Sequence, residues 1–172
     1  MTDITHTTVP AGPQRPTLLT VLCILTFISS AWGIINNIKS YINANAISGI
    51  VDSAMAQAKN DVKESTKDKP EAGQLAEKII NSASEITDPA KLKKMAIYGL
   101  IGNVLAFVGA FLMFNLKKTG FWVYLVHVAV AILAPLAVYG AGNMLIGIST
   151  LGVVFVSILF SVLYSLNLKH MS

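Results

Sequence analysis

The chain has 172 residues, of which 53% are hydrophobic and only 13% charged. An ordinary soluble domain carries about a quarter charged residues, and a chain this size cannot bury long helices that lack a polar face, so a water-soluble globule is excluded and a membrane protein indicated. The net charge of +4 comes from 13 basic residues against 9 acids, gathered outside the apolar runs, which fits membrane flanks and a solvated insert rather than a nucleic-acid footprint.

Residues 1–16 are rich in Thr and Pro, show no apolar periodicity and read as a flexible tail carrying Arg15. Residues 17–41 form the first predicted transmembrane helix, built on the uncharged run from Leu18 to Ile35. A cleaved secretory signal ending at Ser29-Ser30-Ala31 is the competing reading. It is disfavoured because the apolar character continues through Trp32, Ile34 and Ile35. Cys23, the single cysteine, follows Leu22 rather than a small residue and reads as a small buried hydrophobe; no intrachain disulfide is possible.

Residues 42–88 turn polar and form a predicted helical insert. Ile47, Val51, Ala54, Ala58 and Val62 recur at helical spacing, as do Leu75, Ile79, Ala83 and Ile86. Between them, residues 65–73 carry Lys, Asp, Pro and Gly and suit a chain reversal, giving an antiparallel helical hairpin. A loose polar loop is the alternative, because short Ala-rich helices are marginal in water; the first insert helix could also simply continue the membrane helix outward. Thr87-Asp88-Pro89 then supplies a cap followed by proline at the first helical position.

Residues 89–169 form a three-helix transmembrane unit with helices at about 95–116, 121–139 and 144–166. The turns between them are too short for anything but antiparallel neighbours. With the first helix, the expected fold is an all-α integral membrane four-helix bundle with a helical hairpin-like insert between helices 1 and 2. Trp32, Trp122, Tyr124 and Tyr164 fall near predicted helix ends, where an aromatic belt would lie. Four helices place both termini on one side with the Lys117-Lys118 turn and Lys169. The insert holds more lysines than that face, but a tight basic turn is a strong retention signal whereas a long insert can be exported. The expected orientation therefore has both termini on the cytoplasmic side.

His127 is the only ionisable residue inside the apolar segments besides Cys23 and the tyrosines. An intramembrane histidine suggests a proton relay, a metal ligand or a haem ligand, but no second His, Asp or Glu joins it, which favours a neutral histidine hydrogen-bonded between helices. Ser157, Ser161 and Ser165 recur every fourth residue on the last helix, with Ser149 on the same track; Gly102, Ala106 and Ala110 do so on the second. Such tracks permit close helix approach, and a polar permeation stripe is the sharper alternative. Gly147-Ile148-Ser149 with His127 invites comparison with intramembrane serine proteases, but the glycine expected after the serine is missing and the histidine comes first in the chain. Tyr98-Gly99 through Asn103 faintly echoes Tyr139-Gly140 through Asn143, which reads as coincidence between glycine-rich helix starts and leaves both asparagines as helix-contact residues.

Three stretches carry a resemblance: Arg15-Pro16-Thr17-Leu18-Leu19-Thr20-Val21-Leu22-Cys23-Ile24-Leu25-Thr26-Phe27-Ile28, Leu116-Lys117-Lys118-Thr119-Gly120-Phe121, and Tyr164-Ser165-Leu166-Asn167-Leu168-Lys169-His170-Met171. They resemble small four-helix membrane proteins of Bacteroidota-type bacteria with no assigned activity. The likeness covers the membrane segments and not the insert, and implies an inner-membrane protein without adding a catalytic residue. The expected role is a non-enzymatic accessory, assembly or scaffold component of a membrane complex. Its expected partners are the lipid bilayer and other membrane subunits or a second copy, with no nucleic acid, cofactor or metal. A small oligomeric channel or transporter, with His127, Ser157 and Ser161 facing a path, is the alternative.

Overall fold

The computed structural model describes residues 16–67 and 69–171, so all of the N-terminal tail except Pro16 lies outside the described residues. The described residues are all helical: α1 (Thr17–Ser65), α2 (Pro70–Ile86), α3 (Pro89–Phe114), α4 (Thr119–Tyr139) and α5 (Met144–Ser165), followed by a short 3-10 turn. Four of these, α1, α3, α4 and α5, are long and apolar enough to cross a membrane, as a membrane protein requires.

α1 is one uninterrupted helix of 49 residues, about 70 Å long at about 1.5 Å per residue. The first membrane segment and the first insert helix are thus continuous, because nothing between Ile35 and Ser65 removes a backbone donor as proline would. The reversal comes at Thr66, whose hydroxyl and N–H both turn back to the Val62 carbonyl. Pro70 then starts α2, a position that needs no N–H. A side chain at Gly73 would press on the Thr66 hydroxyl, 2.8 Å away, so glycine lets the hairpin close. Ile80 is the buried residue of α2, while Leu75 and Ile79, on the apolar spacing read from the sequence, stay exposed.

α3 lies between α1 and α4 and packs extensively on both, whereas α5 touches α4 more lightly, α2 at one end and α1 only slightly. The α1/α3 contact is a reciprocal lock. Asn37 donates to the Gly33 carbonyl at 2.7 Å, and Asn103 donates to the Gly99 carbonyl at 2.7 Å. Each amide lies where a side chain on the opposite glycine would stand: Asn103 against Gly33, Asn37 against Gly99. The same Gly-x-x-x-Asn spacing on two antiparallel helices therefore meets itself.

α3 and α4 approach closest at Gly109 and Gly120. A Cβ on Gly120 would fall 2.6 Å from the Gly109 carbonyl oxygen, and one on Gly109 would fall 3.0 Å from the Gly120 oxygen. The turn joining these helices is a Schellman closure, with the Lys117 N–H on the Leu112 carbonyl and the Leu116 N–H on the Met113 carbonyl. It places Leu116 at φ 59, a left-handed conformation costly for a leucine. Packing of the Leu116 side chain against the core offsets that cost.

Candidate functional site

The four apolar helices line a cavity of about 620 Å³ that is open to one side. α1 contributes Thr26, Ser29 and Ser30, α3 contributes Asn103 and Ala106, α4 contributes Tyr124, His127 and Ala131, and α5 contributes Ser149, Ser157 and Phe160. No lysine, arginine, aspartate or glutamate lines it. Its polar groups are neutral hydroxyls, one amide and one imidazole.

The cavity is closed on the side of the termini. Thr26 and Tyr164 share a hydrogen bond of 2.7 Å between their hydroxyls, and the Tyr164 ring stands edge-on to Tyr124 at 5.0 Å. Behind them Leu19, Leu22, Cys23 and Met113 form the buried core cluster. Tyr124 and Tyr164 are thus interior residues, whereas Trp32 and Trp122 are exposed where lipid would contact them. A buried tyrosine needs a partner for its hydroxyl, and Tyr164 finds Thr26 across the bundle.

His127 rests beside Tyr124, with ring centroids 5.6 Å apart. Its Nδ1 is buried and makes no hydrogen bond among the described residues. Gly102 packs against it: a Cβ there would stand 3.4 Å from that nitrogen, in ordinary van der Waals contact. On α4, Pro135 has no N–H to give the Ala131 carbonyl one turn earlier, so this cavity-lining residue lacks its usual helical donor.

Of the residues singled out in the sequence, the structure gathers His127, Asn103, Ala106 and Ser157 around this cavity, together with Ser149. Gly102 and Ala110 are buried on α3, Gly102 behind His127. Ser161 and Ser165 do not line it: Ser161 is half-buried, and Ser165 is exposed with its hydroxyl turned back to the Val162 carbonyl at 2.7 Å. The single serine track divides because residues four apart on a helix drift around its axis. Thr26, Ser30 and Tyr124 escaped the sequence reading. Their signal was a polar position at helical spacing on α1, Thr26 to Ser30, facing nothing charged. Among the described residues no three His, Cys, Asp or Glu side chains converge as metal ligands would.

A second polar cluster lies at the opposite end of the helices. Asn143 caps α5 by accepting from the Ile146 N–H at 3.2 Å, and donates to the Ser82 carbonyl at 3.1 Å and the Glu85 carboxylate at 3.0 Å. Lys91 pairs with the other Glu85 oxygen, and Tyr139 donates to the Ile86 carbonyl at 3.1 Å. The Lys91 ammonium and then the Asn143 amide hold the Glu85 carboxyl below its ordinary range. These contacts pin α2 to the ends of α4 and α5. Asn103 and Asn143, paired by the faint echo in the sequence, thus do different work.

Set against known proteins, the chain matches no family model, no curated protein and no solved structure to a significant degree.

Proposed function

We propose that the chain is a non-enzymatic accessory or scaffold component of an inner-membrane complex. In this reading α1, α3, α4 and α5 form a transmembrane four-helix bundle with cytoplasmic termini. The far half of α1 and all of α2 then project as an extracytoplasmic arm. The observation that carries the proposal is the surface of that arm. Ile42 and Ile50 are 71% and 72% exposed and Leu75 is 51% exposed, on an arm rich in polar and charged residues. In this reading these exposed apolar side chains, on a segment outside the membrane, belong to a contact surface for another protein. Continuity of α1 gives that surface a rigid mount on the membrane helix.

Mild extraction of the full chain followed by mass spectrometry of co-purifying proteins tests this. A stoichiometric membrane-protein partner that is lost in an Ile50→Asp, Leu75→Asp variant is expected. Recovery of the chain alone, or only with copies of itself, overturns it.

A second reading, a small oligomeric channel or transporter, draws on the cavity that collects His127, Asn103 and Ser157. Its difficulty is the Thr26–Tyr164 closure and the apolar cluster behind it, which leave no polar route to the side of the termini among the described residues of one chain. Solute flux in liposomes that is unchanged by His127→Leu and Ser157→Leu removes this reading.

A further inference from the structure

Hydroxyls in membrane helices usually satisfy themselves by turning back onto their own helix. Ser29 does so with the Thr26 carbonyl at 3.0 Å, and Ser149 with the Ile146 carbonyl at 3.1 Å. Around the cavity a different set does not. Among the described residues the hydroxyls of Ser30, Ser157 and Tyr124, which line the cavity, make no hydrogen bond, and the wholly buried His127 Nδ1 makes none either. Ser30, Tyr124 and Ser157 are themselves only 2%, 6% and 9% exposed. A polar group left unsatisfied in hydrocarbon is costly, and three hydroxyls without a partner among the described residues join the buried His127 Nδ1 around one space, from α1, α4 and α5. Such a convergence calls for an occupant.

The walls define its chemistry. No ionised side chain lines the cavity, so a phosphate or ammonium head would enter unpaired and is disfavoured. Hydroxyls and an imidazole reach this space from three helices, Ser30 on α1, His127 on α4 and Ser157 on α5. That arrangement suits a head with acceptors at two ends. The rings of Tyr124 and Phe160 offer flat surfaces beside it. The route in is lateral. α1 and α5 touch only slightly, with the Thr26–Tyr164 hydrogen bond joining them. A tail can therefore lie in the gap between them and continue into lipid. The volume of about 620 Å³ falls within the range of about 300–1,000 Å³ that holds a compact ligand.

We propose that this cavity binds a neutral lipid of the quinone class, with its flat carbonyl-bearing head hydrogen-bonded by Ser30, Tyr124, His127 and Ser157 and its tail leaving between α1 and α5. The proposal is one of binding and involves no electron transfer.

The test is equilibrium binding of a radiolabelled decyl-substituted benzoquinone to the full chain in lipid nanodiscs, with uptake by empty nanodiscs subtracted. Saturable binding of one molecule per chain is expected. Ser157→Leu and Ser30→Leu, which fill the space, should each weaken it by about tenfold or more, a loss of about 1.4 kcal/mol. Tyr124→Phe keeps the ring and its packing on Tyr164 while removing one hydroxyl; it should weaken binding several-fold, and it serves if a leucine variant fails to fold. Phe155→Leu, on the exposed surface of α5, should bind as the parent chain does. Uptake that never saturates, or binding unchanged by Tyr124→Phe and by whichever leucine variants fold, overturns the proposal and leaves a cavity that holds water. Equal competition by dioctanoylglycerol overturns the quinone assignment.

Discussion

The Asn103 amide on α3 occupies the space that Gly33 leaves open on α1, while its Nδ2 stays bonded to the Gly99 carbonyl of its own helix at 2.7 Å. A Cβ on Gly33 would overlap the Asn103 amide, so only glycine allows that amide to lie against the opposite backbone. Gly33→Leu should therefore force α1 and α3 apart, with a loss of about 1–3 kcal/mol. Measured by reversible unfolding in detergent, the smaller loss of Gly33→Ala should shrink when that change is combined with Asn103→Ala. Additive effects in that cycle would show that the two positions do not touch.

Gly109 and Gly120 present a stricter case, since each faces backbone rather than a side chain that can swing away. Gly120→Ala should cost more stability than Gly33→Ala in the same assay. Gly49 has open space around it on the arm. There Gly49→Ala should stabilise by about 0.5–1 kcal/mol, because alanine loses less backbone entropy in a helix.

Tyr164→Phe keeps the edge contact with Tyr124 but leaves the Thr26 hydroxyl without its partner across the bundle. Hydrogen bonds between membrane helices are worth about 0.6 kcal/mol on average, so a modest loss of that order is expected. Spin labels placed on α1 and α5 should report a wider distance distribution if this bond holds the two helices together at that end.

Asn143 serves two elements at once, as the cap of α5 and as the tether of α2. Asn143→Ala should cost about 1–2 kcal/mol through the lost cap alone. It should also raise hydrogen exchange in α2 more than in α4, whereas a pure capping role would confine the change to the first turn of α5.

Glu85 makes the same tether pH-sensitive. Its carboxyl is held below the ordinary value of 4.5, first by Lys91 and then by Asn143. The contribution is therefore fully present above about pH 4.5 and is lost as pH falls through the lower folded value. Distances between spin labels at Lys78 and Met144 should lengthen under acid, and Glu85→Gln should remove that response. Acid lengthening that persists in Glu85→Gln would place the sensitivity elsewhere.

The all-helical class and the four apolar helices were legible in the sequence, because runs of about twenty uncharged residues have no other stable form in lipid. So were the Asp88-Pro89 start of α3 and the short turns before α4 and α5, where capping chemistry and loop length act locally. Which faces meet was decided only by the tertiary structure. In these helices the lipid-facing and protein-facing sides are similarly apolar, so hydrophobic spacing does not say which side has a neighbour. For that reason Leu151 and Phe155 could not be told from Leu22 by type, and Ser157 could not be told from Ser165. The Asn37/Gly99 and Asn103/Gly33 pairs required α1 and α3 to be antiparallel in one register, a matter of shape rather than composition. The same packing left α5 light against its neighbours and opened the polar cavity around His127, which no spacing along the chain could reveal.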